Sequence, residues 1–355
     1  MKKKILHIVE AFGGGIFSFL VDLINNTSDE YEIVVAYAMR EQTPENFEEK
    51  FSSNIRFIRV QNFVRSISIK KDIQAFMEIK KIIKEEKPQI IHLHSSKAGF
   101  LGRMASIGYK AKIIYNPHGF SFLMQNCSLY KKTLYRILEK IGTLKDSIII
   151  GCSNGEFKEA LKLSKHAICI NNGVSVEEID RIIDGKFSNF ELDFENVKFC
   201  TSGRICYQKN PRLFNEIALK FPNNKFIWVG DGEDKNDLTS PNICITGWKN
   251  KEQVIKSVNE CEIFVLTSMW EGLPISLLEA MALKKLCIVS NCIGNRDVIN
   301  NNINGYIIND ITDFPTIEEM KSSYLKLIEN ARKDVESKYS VKGMIENYKK
   351  IYEDG

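Results

Sequence analysis

No apolar run in the 355-residue chain approaches the ~18 residues that a membrane-crossing helix needs, so a bilayer-spanning protein is not expected. The basic start Met1-Lys2-Lys3-Lys4 leads only into Ile5-Leu6-His7-Ile8-Val9, which is too short for the apolar segment of a secretory leader. Nine cysteines are scattered without a Cys-x-x-Cys pair. That pattern argues against a zinc site and for reduced thiols in a cytoplasmic protein. Cys152, Cys169, Cys200 and Cys287 read as packing groups. An Asp-x-Asp metal motif is missing, and its nearest substitute, Asp231-Gly232-Glu233-Asp234, reads better as a glycine turn. Phe12-Gly13-Gly14-Gly15 follows the first strand, but position 18 is Ser and no third glycine comes in step. A dinucleotide-binding dehydrogenase is therefore poorly supported. The basic residues lack interleaved stacking aromatics in a recognised module, which weakens a nucleic-acid reading. Repeats, low-complexity tracts and a supported nucleophile are also lacking.

What the chain does have is the length of two domains and an ordinary globular composition, 44% hydrophobic and 26% charged. The net charge of +4 hides an asymmetry, since residues 51–150 carry 18 Lys and Arg against 6 Asp and Glu. Such a balance fits either solvated lysine-rich helices or a basic face for an anionic partner. Apolar runs read as strands at Ile5–Glu10, Glu32–Ala38, Ile55–Val60, Ile90–Leu93, Lys112–Asn116 and Ser147–Gly151. A second set follows at Val197–Ser202, Lys225–Gly230, Ile243–Thr246, Glu262–Thr267 and Leu286–Ser290. Their near-continuous hydrophobicity predicts parallel strands covered on both faces. Amphipathic stretches such as Ile73–Glu86 and Glu252–Asn259 alternate with them, which implies two doubly wound α/β domains. The polar segment 174–196 breaks the alternation, placing the junction near Asn172-Gly173. Domains of 1–172 and 173–339 follow, with a terminal helix within 340–355.

The chemistry concentrates after strands. Glu271 comes just past the strand Glu262–Thr267, and Glu279 lies eight residues on, inside a helix opened by Gly272-Leu273-Pro274. Pro274 suits the first helical turn because it needs no backbone partner. A helix start favours an anion such as a diphosphate, and ionised carboxylates accept hydrogen bonds from sugar hydroxyls. Gly203-Arg204 ends the first strand of the second set, with Lys209-Asn210-Pro211 close behind, at the carboxyl-end crevice where such sheets bind ligands. An Arg fork and a Lys point charge together can neutralise a diphosphate. Gly230-Asp231-Gly232 and Gly247-Trp248 end two more strands, and Trp248 serves equally as a pocket wall or an edge core residue. In the first domain His118 sits in Asn116-Pro117-His118-Gly119-Phe120, a loop-mounted position at a strand end. His92 and His94 share one face of their strand, but with no third ligand visible a metal site is rejected. From about Ser128, a helix would place Tyr130, Leu134, Ile137, Leu138 and Ile141 on one face, flanked by Lys131, Lys132, Arg136 and Lys140. That stripe suits an anionic membrane leaflet and a protein core about equally.

The run Glu271 to Ala282, with Glu, seven residues, Glu and an Ala-Met-Ala tail, resembles the signature of glycosyltransferase family 4, retaining enzymes of GT-B fold. The phrases His-Ser-Ser-Lys-Ala-Gly and Pro-His-Gly-Phe-Ser-Phe are similar to those of bacterial capsular and surface-polysaccharide transferases, so the likeness spans most of the chain. It implies two Rossmann-like domains facing across a cleft, with donor binding in the second and acceptor binding in the first, the final helix returning to the first. It implies a catalytic set of His118, Glu271, Arg204 and Lys209. The nucleotide sugar would also meet Gly14, Gly15, Gly203, Gly230 and Trp248, together with Gly272, Leu273, Ile275, Ser276 and Glu279, Glu279 taking the ribose. Ile16-Phe17 stand where many relatives have acidic or polar residues, and Leu273-Pro274 where many have Phe-Gly. The expected activity is metal-independent, retaining transfer from a nucleoside-diphosphate sugar, with UDP as product and no cofactor. The expected acceptor is a saccharide, such as one linked to polyprenyl diphosphate, met at the inner face of the plasma membrane. A nucleotide-sugar 2-epimerase shares the two-domain plan and is the alternative.

Overall fold

The computed structural model describes residues 2–188 and 196–354, in two compact units. Residues 1–171 and 344–355 form the first and residues 172–343 the second. In the first, the strands are β1 (Lys4–Val9), β2 (Glu32–Tyr37), β3 (Arg56–Arg59), β4 (Ile90–His94), β5 (Lys112–Asn116), β6 (Ile148–Gly151) and β7 (Ala167–Cys169). Between them run α1 (Gly14–Asn25), α2 (Ile69–Glu86), α3 (Ser96–Ala105), α4 (Leu129–Gly142) and α5 (Asn154–Leu161). The sheet order is β3-β2-β1-β4-β5-β6-β7, all parallel. Strand residues such as Ile5, Leu6, Ile8 and Val9 are wholly buried, because helices cover both faces of a parallel sheet.

The second unit repeats the plan. Its first helix, α6 (Val176–Ile182), lies inside the polar segment expected to interrupt the pattern. Ser175 caps it by accepting the Glu178 N–H. Positions 189–195 of that segment lie outside the described residues. Then come β8 (Lys198–Ser202), α7 (Pro211–Lys220), β9 (Lys225–Val229), β10 (Ile243–Ile245), α8 (Lys251–Asn259), β11 (Ile263–Leu266), α9 (Ile275–Ala282) and β12 (Leu286–Ser290). After them follow α10 (Asn295–Val298), β13 (Tyr306–Ile308) and α11 (Ile317–Lys338). The parallel order is β10-β9-β8-β11-β12-β13. Phe199 stacks on Phe226 at 4.5 Å between ring centres within its core.

Both sheets are built outward in two directions from a middle pair of strands, β1 beside β4 and β8 beside β11. Loops leaving such a pair diverge, and the gap at their carboxyl ends is where doubly wound sheets receive ligands. In the first unit it receives the Gly13-Gly14 turn and the segment after His94. In the second it receives Gly203-Arg204 and the segment from Thr267 to Gly272.

The last helix, α12 (Val341–Glu353), returns its final turns to the first unit. Tyr352 Oη donates to Nδ1 of His92 at 2.7 Å, and the other ring nitrogen of His92 donates to Asn116 Oδ1 at 2.7 Å. Asn116 Nδ2 donates in turn to Tyr348 Oη at 2.6 Å. All four side chains are fully buried, so every polar atom in the set needs its partner. Removing the Tyr352 hydroxyl by Tyr352→Phe strands a buried imidazole nitrogen. The expected cost is about 1–3 kcal/mol, read as a lower urea midpoint at unchanged slope; an unchanged midpoint would contradict the bond.

Candidate functional site

In the second unit the site begins with crowding of backbone. Gly203 has φ +131 and Gly230 φ +148, values that favour glycine. A Cβ on Gly230 would stand 2.2 Å from the Gly203 carbonyl oxygen, and one on Gly232 2.1 Å from that of Ile205. The loop after β9 therefore closes on the backbone of the loop after β8 because Gly230 and Gly232 lack side chains. Trp228 Nε1 donates to the same Gly203 carbonyl at 2.9 Å and fixes it from behind.

Lys209 projects from the short turn before α7, where Asn210 (φ +50) caps the helix and Pro211 takes its first position. Thr267 Oγ1 donates to the carbonyls of Lys209 and Asn210 at 2.7 and 3.1 Å, tying that turn to the end of β11. Lys209 Nζ then meets Glu271 Oε1 at 2.7 Å, and Ser268 Oγ donates to the same oxygen at 2.7 Å. Both hydrogen bonds found on Glu271 among the described residues go to Oε1. The pair is largely buried, with side-chain exposures of 16% and 10%. Lys209 is thus held by a carboxylate rather than standing as a bare charge. Arg204 lies 3.9 Å from Glu233, a looser contact.

Helix α9 starts at Ile275, so Pro274 is its N-cap (φ −75, ψ 117) and not its first helical residue. Proline accepts that extended conformation as readily as a helical one, because only φ is locked. Ile275 and Ser276 form the first turn, which holds no acidic residue against an incoming anion. Glu279 is half-buried one turn further on. Leu273 is 4% exposed, and its carbonyl accepts from Asn172 Nδ2 at 3.0 Å, so its side chain packs. Gly272 is buried against Gly294, where a Cβ would come within 2.6 Å of the Gly272 oxygen. Trp248 is 52% exposed, which excludes the edge-core alternative. Cys169 is exposed as well, contrary to its reading as a packing group, because β7 lies at the sheet edge; Cys152, Cys200 and Cys287 are buried.

In the first unit, Gly14 (φ +55) and Gly15 open α1 and are exposed. His118 is partly buried with φ +52, followed by Gly119 at φ +98. Non-glycine residues at positive φ persist where their surroundings hold them, and here the holder is Glu156. Its fully buried carboxylate accepts the Gly119 N–H at 2.5 Å and the Cys152 N–H at 2.8 Å. Sequence reasoning missed Glu156. The signal was Ser153-x-x-Glu156 before a helix, a capping-box pattern; Ser153 does cap α5, but the glutamate reaches past it to the histidine loop. Ser268 had no such signal.

His118 belongs to a cluster. His94 Nδ1 lies 3.1 Å from His118 Nε2, and His94 Nε2 lies 3.0 Å from His7 Nδ1. His7 pairs with His92 across β1 and β4 and faces the same way, so the stated ground for rejecting a metal fails: a third imidazole is present. Ligand atoms of His7, His92 and His94 lie within 4.8 Å of one another.

With this geometry in place, the comparisons define the class of protein. Residues 182–338 match the family described as "Glycosyl transferases group 1", and residues 4–151 match "Glycosyl transferase 4-like". The UDP-Gal:alpha-D-GlcNAc-diphosphoundecaprenol alpha-1,3-galactosyltransferase of Escherichia coli is 31% identical over 334 residues, covering 85% of this chain and 84% of the relative. The capsular polysaccharide biosynthesis glycosyltransferase CapM of Staphylococcus aureus is 26% identical, covering 81% and 83%. Among solved structures, sucrose-phosphate synthase from Thermosynechococcus elongatus superposes with a TM-score of 0.81 at 14% identity, over 99% of this chain and 98% of that one. HepE from Anabaena, solved with UDP and glucose, gives 0.77 at 14% identity over 99% and 100%. The chain belongs to the family 4-like glycosyltransferases, with the GT-B fold of two Rossmann-like units.

Burial holds the four clustered imidazoles neutral, pushing His92 down to about 4 and His118 to about 3, with His7 and His94 also lowered. The unfolded chain takes up those protons near pH ~6.5. It then binds more protons than the folded state, so stability is lost as pH falls below that value. Glu156 opposes this, its carboxyl being pushed up by burial. With four imidazoles against one carboxyl, the urea midpoint is expected to drop between about pH 7 and pH 5; a flat or rising midpoint would contradict a neutral cluster.

Proposed function

We propose that the chain moves a hexose from a UDP-sugar to a saccharide carried on polyprenyl diphosphate, with retention at the anomeric carbon, in bacterial surface-polysaccharide synthesis. The observation that carries this reading is the Lys209–Glu271 pair at the switch point of the second sheet, beside the open start of α9. A departing diphosphate needs positive charge fixed in place before it leaves. Lys209, Arg204 and the N–H groups of Ile275 and Ser276 supply it, in the role a metal ion fills elsewhere. Glu271 Oε2 accepts from a hydroxyl of the transferred sugar and Glu279 from the ribose, with Trp248 and Gly230 bordering the base and Gly203 the phosphates. Gly14 and Gly15 offer backbone N–H groups in the first unit. The E. coli relative, named for UDP-Gal and a lipid-linked GlcNAc, supports the choice of donor and acceptor.

Purified protein given UDP-sugars and GlcNAc-diphosphoundecaprenol should release UDP only when acceptor is present. Lys209→Ala and Glu279→Ala should each lower turnover about tenfold or more. Unchanged rates in both would defeat the reading, and UDP released with a 2-epimer in the absence of acceptor would favour the epimerase.

A lipid-linked acceptor also requires the protein at a membrane. Among the described residues no helix is long and apolar enough to cross one. The first unit instead presents exposed apolar side chains on two helices that flank α3: Ile69, Ile73 and Met77 on α2, and Leu129, Tyr130, Leu134, Ile137 and Ile141 on α4. Of the α4 stripe, Tyr130, Leu134, Ile137 and Ile141 are exposed, while Leu138 is partly buried and turns inward with Tyr135 and Glu139. Lys70, Lys71, Lys131, Lys132 and Arg136 stand beside the stripes, matching an anionic lipid surface. Vesicles of phosphatidylglycerol should sediment the protein at low salt while phosphatidylcholine does not. Ile73→Glu with Leu134→Glu should cut that binding by about tenfold or more; equal sedimentation of the variant would count against the surface.

A further inference from the structure

His7, His94 and His118 lie in a row. Ring planes differ by only 16° between His7 and His94 and 18° between His94 and His118. Ring centres are 5.3 and 5.4 Å apart while the facing nitrogens are 3.0 and 3.1 Å apart. Each spacing is close to one N···N contact plus two ring radii, so the imidazoles join end to end rather than face to face. Both links have the same sense, Nδ1 of one ring meeting Nε2 of the next.

A neutral imidazole carries one proton, so one nitrogen donates and the other accepts. Only two proton arrangements satisfy both links. If protons sit on Nε2, His118 donates to His94 and His94 to His7, and the Nε2–H of His7 is left over. That atom is buried and has no hydrogen-bond partner. If protons sit on Nδ1, His7 donates to His94 and His94 to His118, and only a lone pair is left over at His7. A stranded buried N–H is the rarer defect in folded proteins, so the row runs from His7 outward. Its open end is then Nδ1–H of His118, which makes no hydrogen bond to another described residue.

A metal ion is a poorer explanation of the cluster. His92 is bonded at both nitrogens by Tyr352 and Asn116, and His94 at both by His7 and His118. Among His7, His92 and His94 only Nε2 of His7 is unengaged, so a second ligand from these three would require breaking an existing bond.

We propose that His7 and His94 are positioning residues that hold neutral His118 in its Nδ1–H tautomer, so that this N–H stands ready to donate to an oxygen of a substrate met by the first unit. The role in transfer rests on the function proposed above; the tautomer does not. Which nitrogen of a histidine carries the proton is set by the bond its other nitrogen makes, and two fully buried rings behind His118 leave that bond no freedom.

The test is a long-range proton–nitrogen correlation spectrum of the full chain labelled with nitrogen-15 in its imidazoles, without ligand, near pH 7. His7, His94 and His118 should appear as Nδ1–H tautomers and His92 as Nε2–H. His118 as Nε2–H in the unsubstituted protein would overturn the proposal, as would stoichiometric zinc in the purified protein by elemental analysis. In His94→Leu, His118 should lose its single tautomer, and kcat should fall about tenfold with KM for the donor changed less than about twofold. Retention of pure Nδ1–H, or a loss of rate with the tautomer unchanged, would overturn it too. Because the spectrum needs no variant, a misfolded His94→Leu leaves the proposal exposed to the first result. Full turnover in His118→Asn would remove the part assigned to His118 in transfer while the tautomer result stood on its own.

Discussion

A polar side chain sealed from water must find its partners inside the protein, and each unit answers that demand differently. The first answers with neutral imidazoles. His92 is satisfied by Tyr352 and Asn116, and His94 by the two rings beside it. Burial would leave a protonated member without water around its charge, so the cluster holds together uncharged. The second unit answers with an ion pair, Lys209 on Glu271, steadied by Ser268 and by the threonine that pins the lysine's turn. Pairing of this kind costs desolvation and is repaid only when the geometry is good. The two solutions suit different work. Neutral rings can offer a directed hydrogen bond, and a paired cation can exchange a carboxylate for a phosphate.

Much of this was legible in the chain because parallel sheets advertise themselves. Buried strands such as Lys4–Val9 and Ile263–Leu266 have near-continuous apolar runs, and each is followed by a loop that carries candidate site residues. β7 and β13, three residues each, were not read as strands, although β10 of the same length was. Glu271 and Lys209 could be named from their motifs, but not their contact, since 62 residues separate them. The third histidine escaped for the same reason. His7 and His92 are opposed by strand register, which pairs residues no local pattern connects. Trp248 could be placed only by its exposure, which depends on what the following loop leaves uncovered.

The glycines show how tightly the sheet ends are drawn. Gly230 and Gly232 bring the loops after β8 and β9 into backbone contact, and a side chain at either would push one loop outward. In the first unit the corresponding strain is carried by His118 at positive φ, and a buried carboxylate takes the place of a glycine contact in holding the turn. A glycine in that position would relieve the backbone but remove the ring. The fold keeps the ring and uses Glu156 to retain the conformation.

The surface follows from the same layering. Helices α2, α3 and α4 lie side by side over one sheet, so their inward faces are consumed by the core. Arg103 of α3 is wholly buried under α4, bonded to Glu139 at 2.7 Å and lying over the ring of Tyr115. Arg103, Glu139 and Tyr115 meet on the inner side of α4, while Leu134, Ile137 and Ile141 remain exposed. An apolar face that folding does not use carries a solubility cost, and the lysines and arginines on α2 and α4 offset it while giving that face a sign. The basic excess of residues 51–150 is shared between these helices, with 11 Lys and Arg against 5 Asp and Glu, and the strands and loops around them, with 7 against 1, and it lies in the unit that carries the histidine row.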